Sequence, residues 1–181
     1  MTQFKLNNNR SFLSKILNYY HKRKIGYCGK GTKFDSVVHL MRYPLQIKIG
    51  DGAYIKSGAR ICPCNTSAKI FIGNNTTVGY NTMIFSSSEI NIGDDCMIAP
   101  NVYLVDSDHG IELGRLMNVQ NNTTEPITIE DDVWIGTGSV VLKGTYIPKG
   151  CVIAANSVVK GNLEPYTIYG GSPARKIGRR E

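Results

Sequence analysis

Residues 129–164 read IEDDVWIGTGSVVLKGTYIPKGCVIAANSVVKGNLE. Cut every six residues, each piece opens on an aliphatic side chain: Ile129, Ile135, Val141, Ile147, Ile153 and Val159. The fifth place is small or β-branched: Val133, Ser139, Thr145, Cys151 and Ser157. A period of six matches neither the 3.6 of a helix nor the 2 of an amphipathic strand. It matches a short strand, a tight turn and another short strand, laid round the flat sides of a prism. The opening residue then fills the interior. The fifth also points inward, near a corner where only a small side chain fits. Gly and Asn at the other places supply turns with positive φ. No coil of this kind is stable alone, so successive coils must stack through parallel hydrogen bonds.

The same frame runs backward through the chain. From Ile49 it reads IGDGAY, IKSGAR, ICPCNT; from Ile72, IGNNTT, VGYNTM, IFSSSE; from Ile92, IGDDCM, IAPNVY, LVDSDH. Cys96 and Cys151 occupy fifth places and read as small core residues. The frame breaks three times. Extra residues fall between Ile61 and Ile72, around Cys64 to Ser67, and two more fall between Ile84 and Ile92. The largest break follows His109, where residues 110–126, GIELGRLMNVQNNTTEP, show no six-residue pattern. That polar stretch is expected to leave the prism as a protruding loop, and loops on rigid scaffolds often carry function.

With 181 residues the chain has room for one domain and a real core, and its abundant Gly favours a turn-rich β protein over a helical bundle. No apolar run is long enough to span a bilayer and no signal peptide is evident. Five cysteines cannot all pair within the chain, so a reducing, cytoplasmic compartment is expected. Cys62-Pro63-Cys64 is too short and isolated for a zinc site. The net charge of +7 gathers at the two ends, in His21 to Lys24 with Lys30 and Lys33, and in Arg175, Lys176, Arg179 and Arg180. A basic stripe with interleaved aromatics is missing from the middle, which argues against nucleic acid.

Residues 11–24, SFLSKILNYYHKRK, predict a helix capped by Ser11, with Phe12, Leu13, Ile16, Leu17 and Tyr20 on one apolar face and basic residues at its C-terminus. Such a helix packs on the prism or on a neighbouring subunit. A sharper reading is weak association with an anionic membrane surface.

These repeats resemble the hexapeptide-repeat acyltransferases, over roughly residues 29–175. The resemblance implies an all-β fold, a left-handed parallel β-helix with three sixes per coil, a short N-terminal helix and a protruding loop. The left hand departs from the usual right-handed crossover and comes from the resemblance alone. The expected organisation is an N-terminal helical segment (1–28), a β-helix domain (29–168) with its loop (110–126), and a basic C-terminal tail (169–181).

His109 sits in VDSDHG, where a rigid coil gives way to the loop. A neutral imidazole can accept a proton from a hydroxyl. A surface or hydrogen-bonded histidine is the plainer alternative. The resemblance makes His109 the general base of a direct transfer from acetyl-CoA to an acceptor, with no metal and no acyl-enzyme. By the same resemblance the N–H of Thr137 faces the thioester oxygen. Trp134 walls the donor site, and its outward sixth place argues against a core filler. Asp108 is a candidate support for the imidazole, as is Asp106, although both would point away from it in an extended segment. The pantetheine is placed along Thr137 and Ala155, and the nucleotide near Lys160, Gly161 and Arg175. Lys160 stands one place before the family's usual lysine, and Gly178 stands where a second arginine is common.

Ser86, Ser87 and Glu89 are the candidates for acceptor contacts. The stretch CGKGTKF resembles O-acetyltransferases of surface-polysaccharide biosynthesis, which act on sugar hydroxyls. N-acetylation of an amino sugar, antibiotic acetylation and a non-catalytic β-helix scaffold stand as alternatives. The β-helical carbonic anhydrases need three histidines on one zinc, which His21, His39 and His109 are badly placed to supply. The family's donor groove lies between subunits, so a homotrimer binding acetyl-CoA and a sugar or glycan is expected.

Overall fold

The computed structural model describes residues 12–35 and 37–181, the side chains of residues 12–14 excepted. Among the described residues, one α-helix, α1 (Phe12–Lys24), precedes a run of short strands. Hydrogen bonding sorts most of them into three faces. The first face holds β1 (Tyr27–Cys28), β4 (Ile47–Ile49), β7 (Lys69–Ile72), β10 (Glu89–Ile92), β15 (Ile127–Ile129) and β18 (Tyr146–Ile147). The second holds β2 (Lys33–Phe34), β5 (Tyr54–Ile55), β8 (Thr77–Val78), β11 (Met97–Ile98), β16 (Trp134–Ile135) and β19 (Val152–Ile153), then β21 (Thr167–Gly170) and β22 (Arg175–Arg179). The third holds β3 (His39–Leu40), β6 (Arg60–Pro63), β9 (Met83–Ser86), β12 (Tyr103–Val105), β17 (Val140–Val141) and β20 (Val158–Val159). The chain visits the faces in that order six times, with parallel pairing throughout the six coils. The result is an all-β parallel β-helix, consistent with a left-handed winding.

The sixes produce this shape as expected. Opening residues stack coil on coil: Ile49, Ile72, Ile92, Ile129 and Ile147 on the first face, and Ile55, Val78, Ile98, Ile135 and Ile153 on the second. Ile61, Ile84, Leu104, Val141 and Val159 do so on the third. All are buried, and so are the fifth-place residues of the regular sixes, Cys96 and Cys151 among them, whereas Asp108, fifth in the six that breaks into the loop, is exposed. At the fourth place the backbone turns left-handed. Asn75, Asn81, Asp95, Asn101, Asp132 and Asn156 have φ between 53° and 59°. Asn and Asp tolerate that region better than other side-chain-bearing residues, and Gly fills the remaining fourth places.

The three breaks in the frame fall at one corner, between the third face and the first. Residues 64–68, 87–88 and 106–126 all lie there. Two edges of the prism are therefore regular, and the third collects the insertions.

Helix α1 packs on the N-terminal end of the second face. The Asn18 Oδ1 accepts the Phe34 N–H at 2.8 Å, and the His21 ring lies 5.5 Å from that of Phe34. The expected apolar stripe is only partly used, because Ile16 and Tyr20 are exposed. The Ser11 cap and the Phe12 and Leu13 side chains lie outside the described residues.

At the other end the expected boundary at residue 168 cuts through β21. Residues 169–181 are not simply a tail: β22 returns antiparallel to β21 and covers the open edge of the second face. A turn at Gly171 (φ 101°) makes that return. The expected start at residue 29 likewise falls inside the first coil, which begins at β1.

Truncating a stacked opening residue should leave a cavity that a rigid coil cannot collapse. Ile98→Ala is expected to lower stability by roughly 2–5 kcal/mol in denaturant unfolding. Met97→Ala, its outward neighbour, should shift stability by only about 0.5 kcal/mol.

Candidate active site

The corner between the third and first faces carries His109. The chain leaves the coil after Val105, earlier than the repeat suggests. Asp106 is 0% exposed, and its carboxylate accepts three hydrogen bonds: from the Ser86 hydroxyl at 2.8 Å, the Ser87 N–H at 2.6 Å and the Ser88 N–H at 2.9 Å. The Asp106 carbonyl accepts the Glu125 N–H at 3.0 Å, so departure and return of the excursion are tied to the same point. Between them, β13 (Ser107–Asp108) and β14 (Thr123–Thr124) form an antiparallel ribbon. Lys143 from the next coil braces it, with Nζ 3.3 Å from the Asp108 carboxylate and donating to the Thr123 hydroxyl. Beyond the ribbon Gln120 ties the loop to itself through Glu112 and Arg115.

His109 is the first residue past β13. It is exposed, and among the described residues no hydrogen bond or ion pair involves it. The loop expected over residues 110–126 thus begins at Asp106, and His109 rides on it rather than on the coil. Neither aspartate bonds to the imidazole: Asp106 is committed to the serine turn and Asp108 to Lys143.

Ser86 does not fit the part of an acceptor contact. β9 is four residues long, so its alternation continues and turns Ser86 inward, where its hydroxyl lies 2.8 Å from the Asp106 carboxylate and 3.1 Å from the Lys69 carbonyl. Ser87 is half-buried at the base of the ribbon, its hydroxyl 3.3 Å from that of Ser107. Glu89 starts the first face, accepting from Asn91 at 2.7 Å with Lys69 at 3.8 Å. Asp106, a candidate support for the imidazole by sequence, instead anchors the serine turn, a role the sequence does not signal because its partners lie in the preceding coil.

Three of the residues expected at the donor, Trp134, Thr137 and Ala155, lie toward the opposite edge of the third face. Trp134 points outward, 48% exposed, in a column between Met97 and Val152. Thr137 follows at the corner between the second and third faces. At the corner between the first and second faces, third-place N–H groups are capped by the next coil. Lys30 donates to Asp51, Asp51 to Asn74, Asn74 to Asp94 and Asp94 to Asp131, at 2.6–2.8 Å. At Thr137's corner the third places hold Ser57, Tyr80, Pro100, Thr137 and Ala155, with no such caps from the next coil. Among the described residues the N–H groups of Thr137 and Ala155 donate to nothing. Pro100 has no N–H and instead accepts the Thr137 hydroxyl at 2.7 Å through its carbonyl. Close stacking keeps the corner narrow: a Cβ on Gly136 would lie 2.6 Å from the Ala155 nitrogen.

The same edge continues into the C-terminal return. The Ala174 N–H donates to the Val158 carbonyl at 2.8 Å, which places Arg175 beside the last coil. Lys176 pairs with Glu164 at 2.5 Å and Arg180 with Asp132 at 2.7 Å. The Lys176 ammonium holds the Glu164 carboxyl below its ordinary range, through its hydrogen bond first and its charge second. Among the described residues no carboxylate pairs with Arg175 or Lys160.

Lys160 and Gly161 lie at the His109 corner, where the Tyr146 N–H donates to the Gly161 carbonyl at 3.1 Å. The expected residues thus divide between two edges. Trp134, Thr137, Ala155 and Arg175 occupy one, and His109, Ser87, Lys160 and Gly161 the other. The third face separates them by six residues of extended chain, roughly 15–20 Å.

Two family models match the repeats: Bacterial transferase hexapeptide (six repeats) over residues 126–161, and Hexapeptide repeat of succinyl-transferase over residues 69–106. Nodulation protein L of Rhizobium meliloti (strain 1021) is 31% identical over 140 residues, 72% of this chain and 69% of that protein. The chain belongs to the hexapeptide-repeat acyltransferase family. Another relative is the galactoside O-acetyltransferase of Escherichia coli (strain K12), 31% identical over 129 residues, 71% of this chain and 62% of that protein. Among solved structures, AntD, an N-acyltransferase from Bacillus cereus in complex with dTDP and 3-hydroxybutyryl-CoA, has a TM-score of 0.81. Its identity is 22%, over 90% of this chain and 87% of AntD, so the likeness is one of fold. The chain spans 51%, 54% and 58% of the length of three other curated relatives, little more than half of each. The family's β-helix here carries both edges on one prism.

Removing the Asp106 carboxylate would orphan donors at the corner that anchors the His109 excursion. Asp106→Ala is expected to cost about 1–3 kcal/mol. Hydrogen exchange at the Ser87 and Ser88 amides should accelerate by more than that at the Thr76 amide, which is remote from the corner.

Proposed function

We propose that this chain is an acetyl-CoA-dependent O-acetyltransferase acting on a sugar hydroxyl in surface-polysaccharide biosynthesis, working as a homotrimer with its sites between protomers. The observation that carries the reading is the division of the candidate residues between two edges of the third face. His109 on one edge and Trp134 with Thr137 on the other are too far apart to act on the same thioester within a protomer. A second copy laid edge to edge joins them.

In that arrangement each group has a task. His109 accepts the proton of the acceptor hydroxyl as the oxygen attacks the thioester carbonyl. The hydroxyl is too weak an acid to ionise unaided, so a base is required. The outward N–H of Thr137 donates to the oxyanion as it forms, and the N–H of Ala155 one coil on is a donor for the pantetheine amides. Trp134 offers an apolar wall to the thioester end. Arg175 and Lys160, unpaired by carboxylates, suit the phosphates of coenzyme A. Ser87 stands near the base of the histidine's ribbon and is favoured over Glu89 as an acceptor contact. The tetrahedral intermediate collapses with loss of the thiolate, which takes up the proton held by His109, and no acyl-enzyme forms.

The galactoside O-acetyltransferase by its name acts on a sugar, which supports this acceptor class. AntD, by its description an N-acyltransferase and, in one mutant form, in complex with dTDP-4-amino-4,6-dideoxyglucose and coenzyme A, supports amide formation on an amino sugar as the second reading, through fold alone. Alkali distinguishes the products, since an ester is cleaved and an amide survives. Five free thiols suit a reducing cytoplasm. The exposed Tyr19 and Tyr20 of α1, each beneath a basic side chain, suit weak contact with an anionic membrane surface.

The direct test incubates the protein with acetyl-CoA and a panel of nucleotide sugars and short glycans, and follows free thiol. Release above background hydrolysis with a glycan supports the reading; no release and no binding of acetyl-CoA would overturn it. His109→Ala is expected to cut turnover by roughly 10²–10⁴ while acetyl-CoA affinity by calorimetry stays near wild type.

The shared site has a stronger consequence. His109→Ala and Trp134→Ala proteins, each inactive alone, should recover turnover when co-expressed. Random mixing in a trimer restores about a quarter of the sites, those taking histidine from one variant and tryptophan from the other. No recovery from verified mixed trimers would place both residues in one protomer's site.

A further inference from the structure

The break at residues 64–68 carries chemistry that the proposed transfer does not use. Cys62 and Cys64 bring their sulfurs to 3.9 Å across a single proline. The other three cysteines are spent elsewhere: Cys28 on the Gly29 carbonyl, Cys96 on the Glu130 carbonyl at 3.0 Å, and Cys151 on the Glu164 carbonyl at 3.1 Å. Cys62 points away from the interior that Ile61 fills, yet it is buried, with Phe85 beside it in the next coil. Cys64 is half-exposed.

The backbone around the pair is held on both sides. The Cys64 N–H donates to the Ser86 carbonyl at 2.6 Å. Asn65 clamps the turn that follows, accepting from the Ser67 and Ala68 N–H groups and donating to the Ser87 carbonyl, at 2.8–2.9 Å. Arg42 donates to the Cys64 carbonyl at 3.2 Å, bringing a guanidinium to the pair. A disulfide needs the sulfurs at about 2.0 Å, so closure must bring them nearer than the 3.9 Å seen here.

We propose that Cys62 and Cys64 form a dithiol site for low-molecular-weight disulfides, closing by exchange to a Cys62–Cys64 disulfide. The half-exposed Cys64 thiolate attacks the incoming disulfide, forming a mixed disulfide and expelling one thiolate. Cys62, once deprotonated, attacks the Cys64 sulfur and expels the second. One external disulfide is reduced to two thiols, and the protein loses two hydrogens. Burial chiefly, with the Cys64 thiol beside it, pushes the Cys62 thiol up to about 11, which suits it to the second step rather than the first. A ring closed over one residue is strained, and strained disulfides are the readily reversed ones. The site adjoins the corner from which the His109 excursion leaves, through Ser86 and Asp106.

The full-length protein, reduced and freed of reductant, is incubated with excess oxidised glutathione. Thiols are then counted after denaturation and the intact mass is measured. Two of the five thiols should disappear with the loss of two hydrogens, reversibly with dithiothreitol, and peptide mapping should join Cys62 to Cys64. Cys62→Ser should stop at a stable adduct of one glutathione on Cys64, and Cys64→Ser should resist at Cys62. Five thiols remaining in the wild-type protein, or adducts on it without an internal disulfide, would overturn the proposal. Because the readout is thiol count and mass, its outcome is independent of whether the protein transfers acetyl groups.

Discussion

The fourth residue of every regular six has to turn left. That turn lets the chain change face within a few residues and still present its N–H to the coil before it. Asn75, Asp95 and Asp132 donate in this way to Asp51, Asn74 and Asp94, and Asn101 and Asn156 to Tyr80 and Thr137, at 2.8–2.9 Å. For most side chains the left-handed region is costly, so Gly, Asn and Asp recur at these places. Once the turn is set, the opening residues fall one above another and the interior fills with stacked Ile, Leu and Val.

The same regularity gives the two smooth edges different surfaces. Where the third place carries Asp or Asn, each coil caps the N–H of the coil before it and the edge is closed to ligands. Where it carries Pro, Thr or Ala, Thr137 and Ala155 keep donors outward. The third edge carries the insertions, and there a buried carboxylate, Asp106, anchors the excursion with His109. A rigid face lies between the Thr137 edge and His109, so the proposed donor groups and the proposed base stand apart on a single prism.

Much of this could be read in the chain before folding. The frame of six identified the core, including Cys96 and Cys151, and it placed Trp134 outward. The break after His109 marked the loop. Other features escaped. Ser86 is a candidate acceptor contact by resemblance, but the longer strand β9 carries alternation one residue further and buries it. Asp106 reads as a support for His109, and its partners, Ser86 to Ser88, lie about twenty residues back, out of reach of a local reading. The C-terminal stretch looked like a basic tail, whereas it pairs with β21, and Glu164 and Asp132 take up two of its charges.

By itself the sequence determined the family, the six-residue coil, the buried columns and the identity of the residues that stand at turns. These depend on local backbone preference and on a repeating pattern of burial, both of which act within a few residues of chain. Only the tertiary structure decided that all the insertions share one edge, that His109 and Thr137 stand on opposite sides of a face, and that Cys62 meets Cys64. Those facts depend on which coil lies above which and on how each strand ends. Such contacts join residues far apart in the chain, or turn on a single step of alternation, and neither leaves a mark in the period of six.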